Sequence, residues 1–269
     1  SFDRVIVPIG NPGTSYDTQR VSLDTSAWAV FTQWTFDVTD ALSLTAGVRY
    51  TDETKGIQGI LFNVAPASRA EPPAPTALCP FAGPPPTQTG CLFLSTNRFE
   101  ESFTATTGSA SVQYRFSPAF MAYLSWSQGF KSGGFNQRYN AAPPGNAPIG
   151  FAVGRAETFE LGFKSNPARR MRFNVALFNT SYDDIQLTYR LGVVPLLFNA
   201  GQATIQGAEF EFNWTPVDDL RIDATLGWLD NEFDSINNPP AFGPVTPTAV
   251  ATLDSRLPFT PEWQAHIGA

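Results

Sequence analysis

Residues able to support acid–base or metal chemistry are scarce in this chain. The 269 residues include a single histidine, His266, and two cysteines, Cys79 and Cys91. A zinc site needs several His, Cys or carboxylate ligands close together, whereas His266 has neither a second histidine nor a cysteine near it in the sequence. The G-x-S-x-G turn that presents a hydrolase serine is also absent. The sequence therefore predicts no catalytic residue, no metal site and no cofactor.

Two pairs of adjacent carboxylates are the remaining candidates for acid–base work. Catalytic carboxylate pairs operate when their surroundings push the two pKa values apart. Asp218 and Asp219 fall in a tight turn, where Asp side chains accept hydrogen bonds from backbone donors. Asp183 and Asp184 fall towards the end of a strand. Neither pair is flanked by a recognisable apolar pocket, so both are interpreted as structural, and the protein is predicted not to be an enzyme.

A glycine-rich segment, GFKSGG from Gly129 to Gly134, has the composition of a phosphate-binding loop but not its spacing. The loop that surrounds phosphates with backbone donors follows G-x-x-x-x-G-K-[ST]. A strand that runs into a flexible external loop explains the segment better. The segment is therefore not interpreted as a phosphate site.

The composition indicates a large β structure with an unusual surface. Charged residues make up 15% of the chain, against about 25% in soluble domains. Hydrophobic residues at 42% and aromatic residues at 13% argue against disorder. The 21 glycines and 23 prolines favour many turns. A net charge of −7 lacks the basic footprint of a nucleic-acid-binding protein, so no nucleic-acid partner is expected.

Apolar side chains recur at every second position in nine segments. Successive side chains of a strand point to opposite faces, so each segment is predicted to be a strand with one apolar face. The segments are 28–36, 42–51, 110–116, 120–126, 159–163, 173–177, 208–214, 220–228 and 263–267. The positions that we predict to face lipid are Trp28, Trp34, Leu44, Val48, Val112, Leu124, Leu161, Val175, Phe210, Phe212, Ile222, Ala224 and Leu226.

Charged residues lie on the other face of these strands. They are Asp37, Arg49, Arg115, Glu160, Lys164, Glu209, Glu211, Arg221 and Asp223. An Arg or Lys on the lipid face of a barrel costs about 2–4 kcal/mol at the membrane midplane, so the segregation fits a wall between hydrocarbon and a wet lumen. A soluble sheet with one buried face would show the same alternation.

The connections between the strands alternate between short and long. The short ones, such as 117–119 and 216–219, contain Asp, Asn or Pro residues that favour a reversal. The long ones, such as 131–155, fall at the opposite strand ends. Outer-membrane barrels have short periplasmic turns and longer extracellular loops, whereas a soluble sandwich has no reason to sort its loops by length.

Large aromatic residues lie close to the short turns on the apolar face. They are Phe36, Phe116, Phe120, Phe163 and Trp214. A girdle at the membrane interface accounts for this placement, although aromatics also fill the cores of soluble proteins. The membrane interpretation is favoured because it explains the loops as well.

The predicted fold class is all-β: an antiparallel up-and-down transmembrane β-barrel of which about nine strands are encoded. Bacterial single-chain barrels have an even number of strands, and an open edge in lipid would leave backbone groups unsatisfied. We therefore expect residues 1–269 to be one incomplete barrel domain, with 52–98 as a long extracellular loop. The first residues, SFDRVIVPIG, lack the features of a signal peptide, which indicates a mature segment or a fragment.

Six motifs, in this order along the chain, resemble the barrel of TonB-dependent outer-membrane receptors. They are LTAGVRYTDETK (Leu44 to Lys55), YLSWSQGFKSGGFN (Tyr123 to Asn136), AETFELGFKS (Ala156 to Ser165), FNVALFNTSYDDIQL (Phe173 to Leu187), NAGQATIQGAEFEFNWTP (Asn199 to Pro216) and PFTPEWQAHIGA (Pro258 to Ala269). Together they cover most of the chain from about Val21 onward.

The resemblance implies a large barrel of the plugged, roughly 22-stranded type in the bacterial outer membrane. It further implies uptake of a scarce ligand such as a ferric siderophore, and in some members cobalamin or carbohydrate. The implied partners are the TonB energy-transducing complex, the small-molecule ligand and outer-membrane lipid. The chain departs from the family pattern, because no plug domain, TonB-contacting segment or aromatic-ended final strand is recognisable.

Two expectations concern the long connections of such a receptor. Ligand contact is expected at Lys131, Phe135, Arg138 and Tyr139, which combine cationic and aromatic groups suited to an anionic, aromatic siderophore complex; ordinary solvated loop residues are the alternative. Cys79 and Cys91 lie in an oxidising environment and are predicted to form a disulfide, worth about 3 kcal/mol in the entropy model.

Three classes of function remain open from the sequence. The energised uptake receptor is favoured by the motifs and by the barrel pattern. A passive porin-like channel would have similar walls and an open lumen. A soluble β-sheet binding protein would bury the apolar faces against each other.

Overall fold

The fold consists of strands throughout the part of the chain that the structure describes. The computed structural model describes residues 2–7, 16–64, 98–137, 148–191, 194–237 and 251–269. No helix in these ranges is long and apolar enough to cross a membrane. The strands are β1 (Phe2–Val7), β2 (Tyr16–Asp37), β3 (Leu42–Val64), β4 (Phe99–Ser117), β5 (Phe120–Lys131), β6 (Gly134–Phe135), β7 (Gly150–Phe151), β8 (Gly154–Ser165), β9 (Met171–Asp183), β10 (Gln186–Leu191), β11 (Val194–Asn199), β12 (Gly201–Val217), β13 (Leu220–Ile236) and β14 (Trp263–Gly268).

Ten of these strands form one antiparallel sheet in the order of the chain. The order is β1-β2-β3-β4-β5-β8-β9-β12-β13-β14, and the pairs β6–β7 and β10–β11 form two small sheets of their own. The nine predicted segments correspond to β2 to β5, β8, β9 and β12 to β14, so the all-β up-and-down prediction is confirmed. Within the described residues the large sheet does not close on itself, as expected for part of a larger barrel.

The strand register aligns the apolar side chains of neighbouring strands into continuous rows. Residues directly opposite each other in adjacent strands lie on the same face. One row crosses nine strands through Phe36, Leu44, Val112, Leu124, Leu161, Leu177, Ala208, Trp228 and Trp263. All the residues predicted to face lipid lie on this side of the sheet, which we call the apolar face.

The other side of the sheet, the polar face, carries the charged rows. One row runs through Arg115, Met121, Lys164, Asn174, Glu211, Thr225 and His266. On this face Tyr123 donates a hydrogen bond to Glu160 (2.5 Å), and Asn174 donates one to Glu211 (3.0 Å). The segregation of charge predicted from the sequence is therefore present in the sheet.

The apolar face is exposed rather than packed against a second layer. Trp34 is 65% exposed and Phe36 is 67% exposed. Among the described residues, the buried hydrophobic cluster lies elsewhere. It includes Tyr189 and Leu196, which belong to β10 and β11 and not to the large sheet. A soluble sheet would bury such a stripe, because apolar area removed from water contributes about 25 cal/mol per Å². The soluble alternative thus lacks the sealed interior that it requires.

Aromatic side chains mark both edges of the apolar band. Near the short turns, the rings of Phe116 and Phe120 stack 5.2 Å apart, and those of Phe120 and Phe163 stack 6.2 Å apart. At the other edge, the ring centres of Trp28 and Tyr50 are 5.3 Å apart. Eight residues separate Trp28 from Phe36, about 27 Å along a strand and about 20 Å along the normal at a tilt of about 40°. This height is close to that of a barrel's apolar belt.

Two large rings lie flat on the polar face because glycine occupies the position beneath each. A Cβ added to Gly162 would overlap the ring of Tyr123, and one added to Gly207 would lie 2.6 Å from Phe178. Glycine in a strand permits such close approach, and an aromatic neighbour covers the gap that the missing side chain leaves. The two rings therefore lie along the polar face instead of projecting from it.

Two of the longer connections contain strand residues. Residues 52–64, predicted as the start of the long loop 52–98, belong to β3, and most of the remaining loop lies outside the described residues. Beyond the apolar band, the side of the sheet that continues it is polar, as in the contact of Thr54 with Ser102 (2.9 Å), while Ile57 and Phe103 are buried on the other side. The alternation seen in the band therefore ends before the strand does. The connection between β9 and β12 contains the hairpin β10–β11.

The short turns are built as predicted. Ser117 pairs with Phe120 and Val217 pairs with Leu220, so each of these reversals needs only two residues. Arg170 forms an ion pair with Asp218 of the neighbouring turn. The short connections therefore share one rim of the sheet, which we call the short-turn rim.

An arginine on each face of β13 tests which face meets lipid. In the complete receptor, Ala224→Arg should reduce the amount of folded protein in the outer membrane, because a lipid-facing Arg costs up to about 2–4 kcal/mol. Thr225→Arg, one residue away on the polar face, should insert like the unmodified protein. Equal insertion of the two variants, measured by gel mobility of membrane fractions, would contradict the assignment of the faces.

Substitution of two glycines tests the packing of Tyr123. Gly162→Ala should lower the free energy of unfolding by about 1–3 kcal/mol, because the methyl group forces the ring to move. Gly129→Ala is the matched control, since a Cβ at Gly129 would meet no heavy atom within 4 Å. Urea unfolding in detergent measures both, and an unchanged midpoint for Gly162→Ala would refute the close contact.

Candidate functional site

The end of the polar face remote from the short turns is covered by a cap. The cap consists of residues 132–137, 148–153 and the described residues of 184–200, which are the connections from β5 to β8 and from β9 to β12. Its buried cluster comprises Ile185, Tyr189, Leu196, Phe198, Ala200, Ala203, Phe233 and Leu257. Ala203 shares a face with Glu209 and Glu211, and Phe233 shares one with Thr225, because strand side chains alternate. The cap therefore folds onto the polar face.

Asn136 joins the two connections that form the cap. Its side-chain amide donates to the carbonyls of Ile149 (3.2 Å) and Leu197 (2.9 Å), and its Oδ1 accepts from the Leu197 N–H (2.6 Å). The amide is only 7% exposed. An amide offers donors and an acceptor together, so this one side chain bonds both backbone groups of Leu197 and adds to the bond that the Asn136 backbone N–H donates to the Ile149 carbonyl (2.8 Å).

Gln186 and Asn199 make equivalent links. Gln186, 7% exposed, donates through Nε2 to the carbonyls of Ser132 (3.0 Å) and Ala152 (2.9 Å). Asn199 donates to the carbonyls of Ala152 (3.0 Å) and Asp184 (3.0 Å) and accepts from the Ala152 N–H (2.6 Å). Three neutral amides thus hold the connections together, and a buried amide costs free energy when its partners are removed.

A second set of contacts holds the cap against β3 and β4. Lys55 donates to the Gly133 carbonyl (2.7 Å), pairs with Glu53 (3.1 Å) and lies 5.8 Å from the centre of the Phe103 ring. A Cβ at Gly133 would overlap that ring. Glycine is required at this position because the backbone lies directly on Phe103, which explains part of the Gly129 to Gly134 motif without any phosphate.

The predicted ligand residues reach the cap in part. Lys131 ends β5 with an exposed side chain, and its carbonyl accepts from Gln186 at 3.4 Å. Phe135 is half-buried in β6, where it pairs with Gly150. Arg138 and Tyr139 lie outside the described residues, as do Cys79 and Cys91. The structure therefore places Phe135 in the cap and Lys131 at the end of β5 that adjoins it, and it leaves their contact with ligand as a prediction.

The candidate acid–base residues have structural partners. Asp183 accepts from Gln202 (2.7 Å), Asp184 adopts a turn with a φ of 54°, and Asp218 pairs with Arg170. His266 lies on the polar face 3.3 Å from Asp223. Among the described residues, no group of three or more His, Cys, Asp or Glu side chains is arranged to hold a metal ion.

The hydroxyl group of Tyr189 links the cap to Asn237, the residue that follows β13. It donates to the Asn237 carbonyl (3.0 Å), and burial raises the pKa of Tyr189 above its ordinary value. A tyrosine hydroxyl with its ordinary pKa of about 10 is already neutral at physiological pH, so the shift leaves this hydrogen bond unchanged there. The cap is thus a packed layer of hydrogen-bonded amides and buried aromatic rings, and the exposed side chain of Lys131 lies beside it.

Sequence reasoning missed the three amides. Their signals are present in the motifs, as the Asn of GGFN, the Gln of DDIQ and the Asn of NAGQ. Amide residues are common in surface loops, so residue type alone did not distinguish these three from solvated neighbours.

The chain matches the sequence model of the family described as TonB dependent receptor-like, beta-barrel, over residues 2–269. Among solved structures, it is similar to the ferric yersiniabactin uptake receptor FyuA from Yersinia pestis, with a TM-score of 0.65 and 20% identity over 94% of this chain and 32% of that one. It is also similar to the siderophore receptor PiuA from Acinetobacter baumannii, with a TM-score of 0.60 and 16% identity over 94% and 31% of the two chains.

A third similar structure is the ferric-catecholate import receptor Fiu from K12 E. coli, with a TM-score of 0.59 and 15% identity over 93% of this chain and 31% of that one. The chain thus spans about a third of the length of these solved receptors. At such identities the likeness establishes the fold, and the family match establishes membership. The chain belongs to the TonB-dependent receptor family and forms part of its outer-membrane β-barrel.

Proposed function

We propose that the protein is an outer-membrane receptor that binds a ferric siderophore and imports it with energy supplied through the TonB complex. Members of its family are transport receptors, and similar solved structures include a ferric yersiniabactin uptake receptor, a siderophore receptor and a ferric-catecholate import receptor. The role is transport rather than catalysis.

The observation that carries the proposal is the contrast between the two faces of one sheet. Seven of the nine side chains in the apolar row are exposed, whereas the polar face bears charges and is covered at one end by a cap. A wall of this kind separates lipid from an aqueous lumen. A cap fixed on the lumen side restricts what enters, which favours a selective receptor over an open channel.

Contact of the apolar face with lipid is part of the proposal. At the outer edge of this face, the indole N–H of Trp126 donates to Glu157 (2.6 Å). Tryptophan favours membrane interfaces because its ring is apolar while its N–H needs a polar partner. The carboxylate of Glu157 then marks the level at which hydrocarbon gives way to head groups.

Ligand contact is proposed at the cap and the connections that follow from it. Lys131 and Phe135, together with Arg138 and Tyr139, would engage an anionic, aromatic chelate by charge and ring contacts. The chelator itself holds the iron, so the protein needs no metal ligands of its own. A disulfide between Cys79 and Cys91 would stiffen the long loop between β3 and β4.

Growth and uptake measurements test the transport assignment. Deletion of the complete gene should abolish uptake of radioactive iron from at least one ferric siderophore under iron limitation, and a proton-gradient uncoupler should abolish it in the parent strain. Uptake that continues with the uncoupler would indicate a passive channel. A phenotype confined to cobalamin or a sugar would show that the ligand class is wrong.

Substitution of a cap amide tests whether the cap shapes the binding site. Asn136→Ala removes the side-chain partner of the Leu197 N–H and carbonyl, whereas the Ile149 carbonyl keeps its bond from the backbone N–H of residue 136. The loss costs about 1–3 kcal/mol and should weaken binding of the transported chelate by about 10-fold or more. Gln137→Ala, at an exposed neighbouring amide, is the control. Equal affinity of the two variants at equal receptor abundance would refute a binding role for the cap.

A further inference from the structure

Three cationic side chains line one cavity at the short-turn rim of the polar face. Arg115, Lys164 and Arg172 border a space of about 300 Å³, and no carboxylate lines it. The remaining lining residues are neutral, and they include Ser165 and Asn174. This feature plays no part in the cap or in the proposed ligand contacts.

The register brings the three cations together. Arg115 lies opposite Met121, which lies opposite Lys164, so the two cations are two strands and about 10 Å apart at the backbone. Arg172 lies two residues from Asn174, the partner of Lys164, which makes it a diagonal neighbour at about 7–8 Å. Long side chains from these positions converge on one cavity.

The three cations have no counterion in the described part of the chain. None of them has a carboxylate oxygen there within 4.0 Å, although ion pairs of that length occur elsewhere, as between Arg256 and Glu262 (3.1 Å). The Lys164 ammonium instead lies 5.4 Å from the centre of the Tyr123 ring. Like charges at this spacing repel one another, so the cluster favours an anion.

Nearby carboxylates are already engaged by neutral donors. Glu160 accepts from Tyr123 (2.5 Å), Glu211 accepts from Asn174 (3.0 Å), and Asp37 accepts from Ser43. Asp37 and Asp40 line a second cavity that Arg115 also borders, without an ion pair to it among the described residues. The charge of the cluster is therefore available to a group from outside this sheet.

We propose that Arg115, Lys164 and Arg172 form an oxyanion-binding site on the lumen wall at the short-turn rim. A guanidinium group presents paired N–H donors that match the two oxygens of a carboxylate or phosphate, and an ammonium group adds a point charge. The occupant is a carboxylate or phosphate group, supplied either by a soluble anion or by acidic side chains of the receptor's own polypeptide within the lumen. The site stands independently of the proposed siderophore.

Direct binding to the complete receptor in detergent tests the soluble source. Inorganic pyrophosphate is the probe, and equilibrium dialysis measures its binding. The unmodified receptor should bind it, and the double variant Lys164→Gln/Arg172→Gln should bind it at least 10-fold more weakly. The control is Arg49→Gln/Arg221→Gln, which removes the same charge from polar-face positions that do not line the cavity and should behave like the unmodified receptor.

Thermal unfolding of the same proteins tests the internal source. If the receptor's own carboxylates occupy the site, pyrophosphate does not bind, and Lys164→Gln/Arg172→Gln lowers the unfolding midpoint by several degrees relative to the control variant. Without any anion, neutralising two mutually repelling cations would leave the midpoint unchanged or raise it. The proposal is overturned if the double variant neither binds pyrophosphate more weakly nor unfolds at a lower temperature than the control.

Discussion

The alignment of strands in the large sheet is the constraint on which the other features depend. β2 and β3 pair over their full shared length without a register shift, from Tyr16 opposite Val64 to Asp37 opposite Ser43. A slip of one residue would move every apolar side chain to the other face. In a membrane, backbone groups must also find partners within the sheet because lipid offers none, so register and backbone pairing are fixed together. The exposed apolar row is a direct product of this pairing.

The polar face uses the same register for a different purpose. Tyr123 and Phe178 are held flat over Gly162 and Gly207, so large rings cover the wall without projecting from it. At one end, Asn136, Gln186 and Asn199 tie the cap to itself through neutral amides. Neutral links do not attract ions, and they leave the exposed ammonium of Lys131 as the charged group at that end of β5. The cap is therefore ordered without neutralising the charge that a ligand would meet.

The large sheet was predictable because its signal is local. Two-residue alternation with all charge on one side, as in Leu44 to Thr51, is sufficient to identify a strand and its apolar face. The signal ends where this arrangement changes, because beyond the apolar band Thr54 is polar on one side of β3 and Ile57 is buried on the other. β3 was therefore predicted to stop at Thr51, although it continues to Val64. The cap was not predictable in this way. Asn136 and Leu197 are 61 residues apart in the chain, and no local pattern encodes such a contact.

Charge along the polar face differs between its two ends. Glu160 and Glu211 on this wall accept hydrogen bonds from neutral donors, whereas Arg115, Lys164 and Arg172 at the short-turn rim have no carboxylate oxygen within 4.0 Å in the described residues. A cluster of cations attracts anions, and low-dielectric walls strengthen its field. The neutral, internally bonded amides of the cap and the cations around Lys164 therefore give the two ends of the polar face a different electrostatic character. Because one register sets this face along its whole length, the difference arises from the residues at each end rather than from the backbone.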